Sequence, residues 1–496
     1  MIRALLHSIL LAGTFLGAAP ALAAQEGTAS AAEVAALRAE VDSLRREIEA
    51  LKAERSGAPT APAAAPAQPA ASSPAPIWNG APQFREASGG FSFKPKGFEQ
   101  FDVGYVSRPG PPRSGTVAGL NYDRLGWNGR ARRLVIGVEG TLPGGFGYNV
   151  EFNFAQSIVD YEDIILTYQP PRSGLQLRVG NFFPLSSLET MTPARVTSFL
   201  ERAAFTDAFN YNRRLGAALA LTDPKSDRYT LTAGLFGQEI NNSSFSRTGW
   251  QASVRGTFSP AFRGGQLHLG ANFQHRAAQR DAQSVQYRSR PFTQVTDQRF
   301  VDTGAIAADG DDIAGLEFGA IIGPFHAAAE AQQAWVRGYR LGRRFGPNDG
   351  PGAGLFYAGD ASFRSAYAEA GYYLTGETRG YKGGRWDRTR VLHPFDRGGW
   401  GALQANARLD WLDLRDRVSG GAGPGVPDFI NGGRQLGYQL SLIWNPIDYI
   451  RLQAQYSRAS FAGGPLTGTV APASSAPLDR RTFAVDSVAV RAQVEF

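Results

Sequence analysis

The stretch Arg132–Gln156, RRLVIGVEGTLPGGFGYNVEFNFAQ, decides the fold. From Gly147 to Phe154 the large apolar side chains fall on every second residue (Tyr148, Val150, Phe152, Phe154), with Asn149, Glu151 and Asn153 between them. A period of two is a strand with one apolar and one wet face. The pattern recurs just upstream, where Leu134, Ile136 and Val138 alternate against Arg133 and Glu139. It recurs downstream in DIILTYQPPRSGLQLRVGNFFPLSSLE (Asp163–Glu189), where Leu175, Leu177 and Val179 alternate with Gln176 and Arg178. Segments of about ten alternating residues, separated by Pro- and Gly-containing turns, are the signature of a transmembrane β-barrel.

Working outward, the alternation predicts sixteen strands, near 97–106, 131–141, 146–156, 161–169, 175–183, 213–222, 228–237, 248–259, 265–275, 313–322, 325–338, 363–375, 399–412, 434–445, 448–458 and 481–496. An even number suits a single-chain bacterial barrel. Short links (Leu142–Gly145, Pro170–Gly174, Asp223–Asp227, Gly323-Pro324, Pro446-Ile447) alternate with long ones near 107–130, 276–312, 339–362, 413–433 and 459–480, as periplasmic turns alternate with extracellular loops. Gly376–Arg397 is long yet falls on the periplasmic side. In the last strand Val488, Val490, Ala492, Val494 and Phe496 face one way and Arg491, Gln493 and Glu495 the other. A terminal Phe496 on such a strand resembles the signal read by the outer-membrane assembly machinery. The expected class is therefore all-β, a 16-stranded antiparallel transmembrane barrel occupying 93–496.

The N-terminal part reads differently. Residues 1–24 combine Arg3, the apolar run LLHSILLAGTFLGAA and small residues at Ala21 and Ala23, the pattern of a secretory signal peptide. In 25–56, Val34, Leu37, Val41, Leu44, Ile48 and Leu51 follow a heptad spacing, predicting a short periplasmic coiled-coil helix. Residues 57–92 open with an Ala/Pro-rich stretch read as a linker.

Composition narrows the function. The 496 residues contain no cysteine, 59 glycines and 11% aromatics, with a mean hydropathy of −0.25. Such values fit many strands joined by turns, because polar lumen residues dilute the lipid-facing ones. Net charge is +7 with only five lysines, so the basic residues are nearly all arginine. An exported barrel meets small anions rather than nucleic acid. There is no GxSxG, HExxH, phosphate-cradling Gly/Lys/Ser loop or CxxC, and the five histidines are scattered. The acidic tip Asp309–Asp312 reads as solvated. No enzyme activity, metal or cofactor is expected.

Several stretches resemble the phosphate-selective porin O and P family of Gram-negative bacteria: FKPKGFEQFDVGY (Phe93–Tyr105), RRLVIGVEG (Arg132–Gly140), VGNFFPLSSLE with SFLERA (within Val179–Ala203), YYLTGETRGY (Tyr372–Tyr381) and Gly398–Ser457. The resemblance implies a sixteen-stranded homotrimeric channel in the outer-membrane lipid. It also implies that the long periplasmic link after Thr375 is a family trait, and that Phe183–Asn212 folds inward and narrows the pore. That segment carries Arg195 and Arg202, with Arg213 and Arg214 at its end. Arginine suits phosphate because its fork donates two parallel hydrogen bonds, and basic rings at a constriction favour anions. Alternation points Arg133, Arg178, Arg214, Arg255, Arg408, Arg451 and Arg491 into the lumen, against Asp102, Glu139, Glu151, Asp163, Glu317, Glu330, Asp410 and Glu495. With acids as numerous as bases, anion selectivity has to come from local clustering. The candidate anion-binding set is Arg133, Arg178, Arg195, Arg202, Arg213, Arg214 and Arg255.

Two readings of function follow. One is a passive porin for small anionic solutes, phosphate or polyphosphate among them. The other is a structural barrel tethered toward the cell wall by its coiled coil, with non-selective conduction. Deleting residues 25–76 separates them.

Overall fold

In the computed structural model the described residues run from Ile77 to Phe496, except 87–88, 111–113, 118, 158, 224–225, 227, 241–247, 280–283, 338–360, 418–428 and 473. Further upstream, Ala39, Asp42, Ser43, Arg45, Arg46, Glu47 and Glu49 are described, helical and exposed. The heptad positions Val34, Leu37, Val41, Leu44, Ile48 and Leu51, the signal peptide and the Ala/Pro stretch up to residue 76 lie outside the described residues.

Sixteen long strands form one sheet: β1 Ser92–Val106, β2 Gly126–Leu142, β3 Phe146–Asn153, β4 Asp160–Tyr168, β5 Leu175–Phe182, β6 Arg214–Thr222, β7 Tyr229–Phe236 and β8 Thr248–Phe258. The second half is β9 Gly265–Ala278, β10 Gly310–Ile322, β11 Phe325–Arg337, β12 Ser362–Tyr373, β13 Ala402–Arg417, β14 Phe429–Ile447, β15 Ile450–Ala462 and β16 Thr482–Glu495. Each pairs antiparallel with the next, and β16 pairs with β1, where Arg491 stands opposite Asp102. The sheet is thus closed and leaves no unpaired edge.

The alternation sorts the wall into two faces. Along β16, Val488, Val490 and Val494 are exposed, whereas Ser487, Arg491, Gln493 and Glu495 are buried. Polar side chains are buried here because they face a filled interior, and apolar ones are exposed because the outer face meets lipid. Two boundaries differ from the sequence reading. The hairpin Ile77–Asn79/Ala81–Arg85 occupies the expected linker and pairs with the start of β1, Phe84 opposite Phe93. The last periplasmic turn falls at Asp448-Tyr449 rather than Pro446-Ile447, because a register shift between Trp444 and Ile447 keeps the chain in β14.

Three connecting segments turn inward. The first, 183–213, carries two short helices, α1 Leu188–Met191 and α2 Ala204–Ala208. The second is the extracellular link 279–309. At Phe292 (φ 59°) it seats a ring on Gly437 of β14, where an added Cβ would lie 2.1 Å from that ring. Only glycine leaves room for it. The third is the periplasmic link 374–401, which raises a small hairpin, Gly380–Lys382 paired with Arg385–Asp387. Its Trp386 is fully buried, Tyr381 Oη lies 2.6 Å from His268 Nδ1, and Arg255 donates to the Gly384 carbonyl at 2.8 Å.

Candidate functional site: the lumen

The segment 183–213 leaves β5 and is held by the inward faces of strands across the barrel. At the start of α1, Ser187 Oγ accepts from Thr190 N at 3.1 Å, and the Glu330 carboxylate of β11 accepts from Leu188 N and Glu189 N at 3.0 and 2.7 Å. A carboxylate at a helix start satisfies amides that have no intrahelical partner. Glu189 in turn receives Arg408 of β13 at 2.7 Å, and Arg408 also binds Glu369 of β12 at 2.5 Å. Asp410 of β13 accepts from Ala204 N at 3.0 Å. Farther round, Ser441 and Gln453 donate to the Ser198 carbonyl at 2.6 and 3.2 Å, and Gln493 donates to that of Arg195 at 3.0 Å. Arg491 of β16 binds Asp102 at 2.6 Å, the Leu200 carbonyl at 2.7 Å and Glu201 at 3.1 Å. The expected inward arginines Arg408, Arg451 and Arg491 are therefore anchors, satisfied by carboxylates or backbone carbonyls.

The other two insertions close on this frame. Arg290 and Arg299 from the second segment bind Asp207 of α2 at 3.3 and 2.9 Å. Arg379 from the third donates to Ser198 Oγ and the Val196 carbonyl at 2.8 and 2.9 Å. Together they fill the lumen beside β9–β15. Beside β1–β5 a cavity of about 960 Å³ remains.

Eleven basic and eight acidic side chains line that cavity, so charge is clustered where the lumen stays open. Six of the bases have no ion pair among the described residues: Arg85, Lys94, Arg133, Arg178, Arg202 and Arg385. Arg133 donates to Gln100 Oε1 at 2.7 Å and Arg178 to Gln176 Oε1 at 2.6 Å. Arg202 donates to the Glu189 and Thr192 carbonyls at 3.0 and 2.7 Å, and its guanidinium lies 5.4 Å from the Phe183 ring centre. Neutral partners orient these guanidiniums without cancelling their charge. Lys96, Arg132, Arg195 and Arg213 are paired, Lys96 with Glu139 (3.1 Å) and Glu151 (2.8 Å), Arg132 with Glu201 (2.8 Å), Arg195 with Glu495 (3.4 Å) and Arg213 with Asp163 (2.5 Å).

Of the seven arginines singled out from sequence, Arg133, Arg178, Arg195, Arg202 and Arg213 line the cavity. Arg214 and Arg255 lie outside it, buried against Glu239 (3.4 Å) and Glu317 (2.6 Å). Sequence reasoning missed Arg85, Lys94, Lys96, Arg132, Arg290 and Arg385. Lys94 and Lys96 share the parity of Asp102, which was enough to turn them inward. Arg132 had no such signal. Gln100 pairs with Arg133 but Phe101 with Ala131, so Arg132 is the extra residue of a bulge. A bulge re-aims a side chain, and both neighbouring arginines face the cavity.

Burial alone would raise the Glu201 carboxyl, but Arg132 and Arg491 beside it hold it below the usual carboxylate range. The anchor therefore stays ionised in mild acid. Burial brings the Arg202 guanidinium down to about 10. Arg202 is then charged at neutral pH and loses its proton as the pH rises through about 10. Anion preference in planar bilayers is expected to decline between pH 9 and 11, and to decline less steeply in Arg202→Gln than in the wild-type protein. An equally steep decline in both proteins would assign it to groups other than Arg202.

Comparison with known proteins gives three kinds of match. Residues 116–462 match the family model described as phosphate-selective porin O and P. A protein of Caulobacter vibrioides, described as uncharacterized, is 36% identical over 397 residues, covering 78% of this chain and 72% of the relative. Porin O of Pseudomonas aeruginosa is 24% identical over 406 residues, covering 74% of this chain and 83% of the relative. Among solved structures, the outer membrane channel DcaP of Acinetobacter baumannii aligns with 83% of this chain and 99% of its own at a TM-score of 0.45 and 14% identity.

Proposed function

Since the chain belongs to the phosphate-selective porin O and P family and lies in the outer membrane, we propose that it conducts small anionic solutes, phosphate among them, through the cavity beside β1–β5. The observation that carries this reading is the set of Arg85, Lys94, Arg133, Arg178, Arg202 and Arg385, without ion pairs among the described residues, on the cavity beside β1–β5. The segment 183–213 acts as the constriction: it confines solutes to the wall that bears those charges. A desolvated anion there exchanges hydration for guanidinium hydrogen bonds, which are strongest with the planar, bidentate geometry of an oxyanion. Conduction needs several such contacts of moderate strength rather than one tight site. The family and the barrel make this chain a channel rather than an enzyme.

The working unit in this proposal is a homotrimer. Glu99 stands on the outward face of β1, opposite Leu134 and Val494, with no ion pair among the described residues. A carboxylate facing hydrocarbon is costly, and a neighbouring protomer removes that contact. Residues 1–24 act as the export signal and 25–56 as a periplasmic coiled coil reaching toward the cell wall, readings supported by the sequence pattern. Phe496 addresses the assembly machinery.

The test is the reversal potential across a planar bilayer in a KCl gradient, followed by titration with phosphate. Anion preference with conductance reduced by low phosphate concentrations is the expected result. A channel without ion preference and indifferent to phosphate would overturn both the selectivity and the role given to these arginines.

A further inference from the structure

The outer wall is not uniformly apolar. At the extracellular end of β1 and β2 the outward residues are Tyr105 and Trp127, ring to ring at 5.6 Å. At the same end of β12–β14 they are charged. Arg364 of β12, Asp413 of β13 and Arg434 of β14 stand opposite one another in one register row across the three strands. Arg415, two residues along β13, binds Asp413 with both Nε and Nη2 at 2.8 Å and donates to the Asp479 carbonyl at 3.2 Å. Asp416 on the same strand accepts from the Ser362 amide at 2.6 Å. The acids near the row are thus engaged, whereas Arg364 is exposed and, among the described residues, donates only to Gln333 Oε1 at 2.9 Å. Arg434 is exposed with no ion pair or hydrogen bond from its side chain among the described residues. Two strand spacings separate the two arginines, roughly 10 Å.

What lies below the row points to the kind of ligand. Toward the membrane centre, the outward side of β12 is Ala366, Ala368 and Ala370, and the facing residues of β11 are Ala331, Ala329 and Ala327. Two adjacent strands therefore carry methyl groups only, for three consecutive rows. Bulky outward side chains bound this strip on both sides, Leu316 and Phe318 on β10, Leu409 and Trp411 on β13. The result is a shallow trough about two strands wide that leads up to Arg364. Exposed guanidiniums above an apolar trough, on the side of a barrel that faces the outer leaflet, match an amphiphile with an anionic head.

We propose that the β11–β14 wall binds an outer-leaflet glycolipid, with Arg364 and Arg434 holding the phosphate or carboxylate oxyanions of its head and an acyl chain lying in the alanine trough. This site is on the outside of the barrel and does not depend on the solute reading of the lumen.

The test uses purified full-length protein in detergent, titrated with bis-phosphorylated lipid A and with its dephosphorylated form, with binding read by native mass spectrometry. Wild type is expected to prefer the phosphorylated form about tenfold or more. The double variant Arg364→Gln/Arg434→Gln should lose that preference while its single-channel conductance stays unchanged, which shows that it is folded. Ala368→Phe, which fills the trough without touching the arginines, should weaken binding of both forms. Equal binding by wild type and the double variant overturns the proposal. Displacement of lipid A by equimolar inorganic phosphate also overturns it, because the site would then recognise free oxyanion rather than lipid.

Discussion

The triple variant Arg133→Gln/Arg178→Gln/Arg202→Gln is expected to abolish anion preference and carry the reversal potential in a KCl gradient to zero or to the cation side. The three guanidiniums line the open cavity and have no carboxylate partner among the described residues. At an effective dielectric of ~20, one such charge acts on an anion ~15 Å away with about 1 kcal/mol. Three together change local anion occupancy by well over tenfold. Their removal takes the lining from eleven bases against eight acids to an excess of no base at all. Glutamine keeps the polar contacts at each position, so the wall should remain intact. The same substitutions at Arg214 and Arg255, buried against Glu239 and Glu317, should leave the reversal potential where it was and lower stability instead. An anion-selective triple variant would show that selectivity arises elsewhere in the lumen.

Arg408→Gln should have the largest effect on the constriction. Arg408 is fully buried between Glu189 of the crossing segment and Glu369 of the wall, with its guanidinium 4.3 Å from the Phe199 ring centre. Its loss leaves two buried carboxylates without a cation, and breaking a buried pair in this way costs about 3–5 kcal/mol. Two outcomes are expected together: a lower thermal midpoint and a larger single-channel conductance, as the segment leaves the wall. The barrel strands are held by their own ladder and should persist in circular dichroism. Unchanged conductance in a folded variant would mean that 183–213 does not limit the passage.

The location of the unpaired charge could not be reached by counting. Alternation along the strands yields as many inward acids as bases, which argues against anion selectivity from net lumen charge. The answer lies in the acids' partners. Glu330 is used at the start of α1 and Asp410 on Ala204 N, both on the side filled by the insertions, and Asp102 of β1 is used on Arg491 of the adjoining β16. The bases left over face the open side.

The sequence by itself determined the class of the fold. Lipid outside and polar filling inside impose a period of two on every strand, so the strand list, the even count and the inward parity of Arg133, Arg178, Arg408, Arg451 and Arg491 were all readable, and the extra length of Phe183–Asn212 marked it as the segment to watch. Only the tertiary structure decided how the lumen is divided. Three segments from different parts of the chain meet there, and their contacts join residues such as Arg408 and Glu189 or Arg491 and Leu200 that no local period relates. The bulge that turns Arg132 inward beside Arg133 is likewise a property of the β1–β2 pairing. Periodicity is a local consequence of one strand meeting two solvents, whereas the pairing of buried charges depends on which strands the closed barrel brings face to face.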